Sequence, residues 1–281
     1  MKLLSAIKKD LEFNMNLYNL LEVLKEIAIA QYKILEKKLK VFEKVFPALG
    51  GIYDMLGMSN VEHPLMHLSN RPAGVICVTS DAGLLGGLNM SVMSQAIREA
   101  QKNKARLIII GEKGQMYAQE SGLEHIVFKG VKDETRYEQA MELRDYIMQE
   151  EMTGKLGELK IVYPYALSIV SQQVKTLQML PFNRQEQIGG RQDHVVSDMI
   201  LESSIGEVLE YWTHLFLGQK FYQAFGMARL AELAARFSHL ETSKGKVDQL
   251  NKDLKLQYFR QRHEMIDKNI RELFCARLAF K

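Results

Sequence analysis

The sequence predicts an α/β protein with long helices: a coiled coil built from the two ends of the chain, and a small Rossmann-like α/β domain between them. Three observations lead there. Near the N-terminus apolar residues recur at alternating spacings of three and four, with no proline or glycine before Pro47. The C-terminal part repeats that pattern, and no proline follows Pro181. Between the two, the period shortens and β-branched runs alternate with helical stretches.

The N-terminal line runs through Leu17, Leu20, Leu24, Ile27, Gln31, Ile34, Lys38, Val41 and Val45, a heptad-like seam with two polar interruptions. It predicts a helix over about residues 3–45, roughly 60 Å long at the α-helical rise. The C-terminal line is Leu256, Phe259, His263, Ile266, Ile270, Leu273, Arg277 and Phe280. It predicts helix from about Ser204 to the end, on the order of 110 Å. The one soft point is Lys244-Gly245-Lys246, because an interior glycine costs about 1 kcal/mol. Helices of that length outrun a globular core of this size and need each other, in an antiparallel or parallel coiled coil.

In the middle, GVICVTS and ARLIIIGEKG read as strands, followed by helices over Met90–Gln101 and Gly114–Ser121. IVF at Ile126 reads as a third strand. LGELKIVYPYALSIV and QQVKTLQMLPF read as two longer strands in a hairpin, extending a mainly parallel sheet. The expected organisation is a shaft helix over 1–60, an α/β foot over 70–190 and a second shaft helix over 200–281 that pairs with the first. It is a helical hairpin interrupted by a compact α/β knob.

Composition excludes several functions. A net charge of +3 over 281 residues, without a dense Lys/Arg patch, gives no footing for nucleic acid. Cys77 and Cys275 lie far apart, without metal-ligand spacing, and read as reduced thiols. No apolar stretch approaches a membrane span, and MKLLSAIKKDLEF carries acids too early for a signal peptide. Any membrane connection is therefore expected to run through a partner. The seven histidines are scattered, with neither HExxH nor paired helical spacing. The Gly-rich stretch Thr79–Asn89 invites a phosphate-loop reading, but GLLGGLN lacks the Lys-Ser/Thr of a P-loop and is not GxGxxG. The plainer reading is a tight strand-to-helix connection, in which Gly83, Gly86 and Gly87 permit positive φ and Asn89 or Ser91 can cap the next helix. No catalytic, cofactor or metal site can be assembled from these residues.

The order of motifs resembles the gamma subunit family of F-type ATP synthases. Thr79-Ser80-Asp81-Ala82-Gly83-Leu84-Leu85-Gly86-Gly87-Leu88-Asn89 stands where that family has TSD, a basic residue, GL, GG and Asn. Ile108–Gly114 is similar to its G-basic-KG turn, with Glu112 at the basic place. Val162-Tyr163 through Leu180-Pro181 fits its VYN…LLP strand pair, Ala231–Phe237 its AxExAARM stretch, and Leu254–Arg262 its LxLxYNxxRQ. Ile7-Lys8-Lys9 and Ile27-Ala28 fall where it has IKxRI and MVAA.

This resemblance implies a rotor shaft that hydrolyses nothing itself and binds no nucleotide at Thr79, Ser80, Asp81, Gly83, Gly86, Gly87 and Asn89, which fold the foot. It implies an antiparallel coiled coil turning inside a hexamer of alpha and beta subunits, with contacts expected at Leu20, Leu24, Glu22, Glu26, Arg260, Leu273, Phe274 and Phe280. It also implies a foot on a membrane rotor ring of c subunits and an epsilon-type subunit, at the cytoplasmic face of a bacterial inner membrane or in an organellar one. Leu20, Leu24 and Ile27 are expected to pack on Phe259, Ile266 and Ile270. The chain departs from the family pattern in the shaft: ITKAMxMVA becomes LLEVLKEIA, with Leu21, Glu22 and Glu26 at changed places, and the tail loses its Thr-x-Glu and final Gly. Glu22 and Glu26 are expected to face basic groups at the rim of the hexamer or to point to solvent. A shaft of a specialised F-type-like ATPase is the neighbouring reading. A coiled-coil adaptor with an α/β ligand-binding head and a nucleotide-binding enzyme are the alternatives from other classes.

Overall fold

A computed structural model describes residues 4–55, 71–182 and 203–279. The elements run α1 (Leu4–Leu39), α2 (Phe42–Met55), β1 (Gly74–Val78), α3 (Leu88–Asn103), β2 (Arg106–Ile110), α4 (Glu112–Ser121), β3 (His125–Phe128), α5 (Arg136–Met152), β4 (Leu159–Ala166), β5 (Gln172–Leu180) and α6 (Ile205–Ala279). The long N- and C-terminal helices and the central sheet are those the periodicity predicts. The chain divides into two compact units, Ile29–Arg236 and the pair Met1–Ala28 with Phe237–Lys281.

In the larger unit the sheet order is β3-β2-β1-β4-β5. The first four strands are parallel, and β5 returns antiparallel to β4, from Ala166 opposite Gln172 to Leu159 opposite Leu180. Strands covered on both faces read as continuous apolar runs, which is why GVICV and RLIII show no alternation. One face, with Val75, Cys77, Leu107, Ile109 and Val162, packs on Val92, Met93, Ala96 and Ala100 of α3 and Ala118 of α4. The other face, with Ile76, Val78, Ile108, Ile110 and Ile161, joins a larger core. That core takes Ala140, Leu143 and Ile147 from α5 and an aromatic cluster from α2 and α6. Trp212 stacks on Phe216 at 5.0 Å between ring centroids and donates its indole N–H to the Leu49 carbonyl at 3.0 Å. Gly226 permits a close approach here, since a Cβ would lie 2.4 Å from Leu39 Cδ2.

Three local differences from the sequence reading have physical causes. The first helix ends at Leu39 and a second begins at Phe42, so the break falls at Lys40–Val41, and Pro47 sits inside α2. There Leu39, Phe42 and Phe46 enter the core while Val41 stays exposed, so burial rather than proline decides where the helix turns. Helix α5 has no counterpart in the sequence reading. Its buried positions Ala140, Leu143 and Ile147 are flanked by charged residues, and Arg136 and Glu151 near its ends are themselves buried. Helices α3 and α4 each begin two residues earlier than expected.

In the smaller unit α1 and α6 are antiparallel: Lys25 pairs with Glu241, and Glu22 with Lys244. The buried line is Ile7 and Ala28 on α1 and Leu240, Val247 and Asn251 on α6. This corrects the expected seam. Leu20 and Ile27 are 54% and 47% exposed, and Phe259, Ile266 and Ile270 are exposed as well, so these five do not form the packed interface. The true face lies one residue further round, about 100° on a helix, through Tyr18, Leu21, Lys25 and Ala28. Two stripes one residue apart are almost equally apolar, and only the partner selects between them.

Candidate functional site

The loop after β1 gathers three other segments at the carboxyl end of the parallel strands. Thr79 and Ser80 are buried. The Thr79 hydroxyl donates to the Ile110 carbonyl at 2.8 Å and lies 3.1 Å from that of Gly111. Asn89 donates from Nδ2 to Ser80 Oγ at 3.0 Å and accepts the Ser80 N–H at 3.3 Å. Asp81 accepts twice from backbone: its Oδ1 from the N–H of Glu112 at 2.7 Å, its Oδ2 from that of Gly130 at 3.0 Å. Thr-Ser-Asp thus ties the ends of β1, β2 and β3 together. Gly111 and Gly130 are required by the same packing. At Gly111, φ is +103° and a Cβ would stand 2.6 Å from the Thr79 carbonyl oxygen; at Gly130 it would stand 2.5 Å from the Asp81 carboxylate.

The N-terminus of α4, where an anion would be favoured, already holds the Asp81 carboxylate on its first N–H. The adjoining crevice, about 280 Å³, is lined by Lys113 but also by Glu120. The loop geometry differs from expectation in detail. Among Gly83, Gly86 and Gly87 only Gly86 has positive φ (59°), and the other left-handed residue is Leu84 (φ 63°). Gly87 caps α3 without any side-chain hydrogen bond. Asn89 turns back to Ser80, and Ser91 bonds the Gly87 carbonyl from within the helix, so neither caps it.

The shaft residues are dispersed over the smaller unit. Leu24 is partly buried, whereas Glu26 and Arg260 are exposed. Glu22 is neither free nor a plain solvent-facing acid: it pairs with Lys25 at 2.9 Å and with Lys244 across the helices. Those lysines hold its carboxyl below the usual range, Lys244 most strongly. Continuing the register residue for residue brings Leu4 level with Arg262. Residues 262–277 beyond it are exposed all round, with Leu273 at 71% and Phe274 at 65%. Phe280 lies outside the described residues. No helix among the described residues is long and apolar enough to cross a membrane.

Sequence reasoning missed two polar clusters. One surrounds Glu232, in the Ala231–Phe237 stretch. Its carboxylate meets Arg229 at 2.7 Å, and Arg229 in turn reaches Asp133 in the loop before α5 at 3.3 Å. Burial pushes the Glu232 carboxyl up to about 7, against the pull of Arg229 and Arg236. The other is Tyr18, Glu22, Lys25, Glu241 and Lys244. In sequence these resemble ordinary charged helix positions, and only the register of two distant segments brings them together.

With its long terminal helices, mixed sheet and Asp-tied strand ends, the chain belongs to the ATP synthase family, whose model matches residues 4–279. In that complex it is the gamma subunit, the central stalk of an F-type ATP synthase. The ATP synthase gamma chain of Clostridium acetobutylicum is 24% identical over 285 residues, covering 99% of this chain and 98% of its own. That of Clostridium beijerinckii is 27% identical over 201 residues, covering 70% and 69%. Among solved structures, the rotor of the Euglena gracilis mitochondrial ATP synthase superposes with a TM-score of 0.65 at 16% identity, covering 94% of this chain and 98% of that one. The central stalk of the Tetrahymena thermophila mitochondrial enzyme gives 0.61 at 18% identity, covering 80% and 99%. At such identities the structural likeness speaks for the fold.

Proposed function

We propose that this gamma subunit is a non-catalytic shaft. Its helix pair turns inside a hexamer of alpha and beta subunits, and its α/β domain, over about residues 70–190, is the foot that holds an epsilon-type subunit and the membrane rotor ring. The observation that carries this reading is the end of α6. Sixteen consecutive residues, 262–277, are helical and exposed, and they include Met265, Ile266, Ile270, Leu273 and Phe274. A single helix bearing that much apolar surface needs a surrounding partner. Apolar contacts without directional bonds suit a surface that must slide past successive neighbours. Each catalytic interface would then meet a different face of the shaft, and the contact would shift it between nucleotide states; a swing from mostly one state to mostly the other takes about 5.5 kcal/mol.

Membrane attachment follows through the ring rather than through this chain, at the cytoplasmic face of a bacterial inner membrane. The test is replacement of Leu273 and Phe274 together by Ser in the assembled complex in inverted membranes. The expected result is a lowered ratio of ion pumping to ATP hydrolysis with normal assembly. An unchanged ratio would remove the tail from the coupling path. For the foot, crosslinkers at Leu167 and Val170, exposed at the β4–β5 turn, should capture ring or epsilon-type subunits. Capture of alpha or beta subunits alone would invert the orientation.

A further inference from the structure

Between Ile7 and Ala28 the apolar residues of α1, such as Leu11, Tyr18 and Leu21, are only half-buried, and the interface there carries a concentrated set of charges. Lys25 Nζ lies 2.9 Å from Glu22 Oε1 and 2.9 Å from Glu241 Oε2. Lys244 pairs with Glu22 and sits over the Tyr18 ring, 4.9 Å from its centroid. The four charges alternate in sign along a chain of contacts, Glu241–Lys25–Glu22–Lys244, that crosses between the helices twice. We propose that Glu22 and Lys244, with Lys25 and Glu241, are positioning residues that fix the register of α1 along α6 and so how far the apolar tail 262–277 extends beyond α1.

The argument rests on what each slip would do. Shifting the pairing by one turn (three residues) in one direction places Glu22 opposite Glu241; in the other it places Lys25 opposite Lys244. A seven-residue slip, which keeps a heptad seam in phase, leaves Glu22 opposite Phe237 or Asn251. Only the observed register satisfies all four charges. The apolar residues do not discriminate so well, because heptad repeats look alike after one period. Partly exposed ion pairs add little net stability, so their use here is selection rather than strength. Position 22 is also one of the places at which this chain departs from the family pattern, with Glu where that pattern has Lys. A lysine there would face Lys25 and Lys244 together.

The coupling part of this proposal rests on the shaft reading above; the register part does not. The test uses the assembled complex carrying Asn14→Cys and Asn251→Cys, which the observed register places within one residue of level with each other, with Cys275→Ser removing the exposed native thiol. Oxidative crosslinking between the two cysteines reports register, and the pumping-to-hydrolysis ratio reports coupling. The single reversals Glu22→Lys and Lys244→Glu should each lower crosslink yield by roughly threefold or more. Inverting all four charges (Glu22→Lys, Lys25→Glu, Glu241→Lys, Lys244→Glu) should restore it. Full crosslinking in the single reversals overturns the proposal, as does failure of the four-fold inversion to rescue. If the single reversals fail to assemble, assembly of the four-fold inversion supports the proposal and its failure counts against it. Altered crosslinking with unchanged coupling would leave the register clamp standing and overturn the shaft reading of this segment.

Discussion

The two compact units are held by different means. The unit Ile29–Arg236 has an apolar core in which Phe216, Phe221 and Phe225 are almost fully buried beside a sheet covered on both faces. The unit formed by residues 4–28 and 237–279 has a narrow seam of Ile7, Ala28, Leu240 and Val247, punctuated by Asn251 and a chain of ion pairs. Area buried sets stability in the first; charge placement and exposed apolar surface set behaviour in the second. Sequences read by hydrophobic periodicity alone blur this distinction, since both units contain long 3–4 repeats.

The sharpest way to break the comparison is a pair of truncations. Phe216→Ala should destabilise the chain by about 3–5 kcal/mol, whereas Leu20→Ala on the shaft should change stability by about 0.5 kcal/mol or less, as read by denaturant midpoints. Equal costs would mean that the shaft stripe is packed after all. Next in size is the Asp81 tie. Asp81→Ala removes the acceptor for two backbone N–H groups and should cost about 2 kcal/mol. Nucleotide affinity should stay absent in both forms on calorimetric titration; micromolar ATP binding by either would restore the phosphate-loop reading.

A smaller effect tests the buried polar pair of the larger unit. The Glu232 carboxyl stands above its ordinary value, so the folded chain holds a proton there that the unfolded chain has released. Stability should therefore fall as pH rises from about 4.5 to about 7 and then level off, with a slope of at most ~1.4 kcal/mol per pH unit from this group. Glu232→Gln should flatten that part of the profile. A profile of unchanged slope would mean that Arg229 keeps the carboxylate ionised throughout. The smallest effect belongs to the ion pairs of the shaft. Raising salt from about 0.05 to 0.5 M should leave the thermal midpoint of the wild-type chain nearly constant, because pairs this exposed contribute little. A large drop would make these pairs a source of stability instead of a selector of register.

The one-dimensional pattern alone determined a good deal. The long terminal helices follow from the 3–4 spacing and the absence of proline. The parallel strands follow from short β-branched runs bounded by glycine, and the hairpin of β4 and β5 from two such runs joined directly. Those features depend on local spacing, and local spacing is what a sequence displays. Tertiary structure alone decided which face of α1 is buried, because Leu20 and Leu21 are equally apolar and lie 100° apart on the helix. It decided the break at Lys40–Val41, which answers to the burial of Phe42 and Phe46, while Pro47 is tolerated inside α2. It turned Asp81 onto the N–H groups of Glu112 and Gly130, 31 and 49 residues away. It also brought Glu22 to Lys244, two charges whose meeting depends on the antiparallel pairing of segments more than 200 residues apart, a long-range choice that no local propensity encodes.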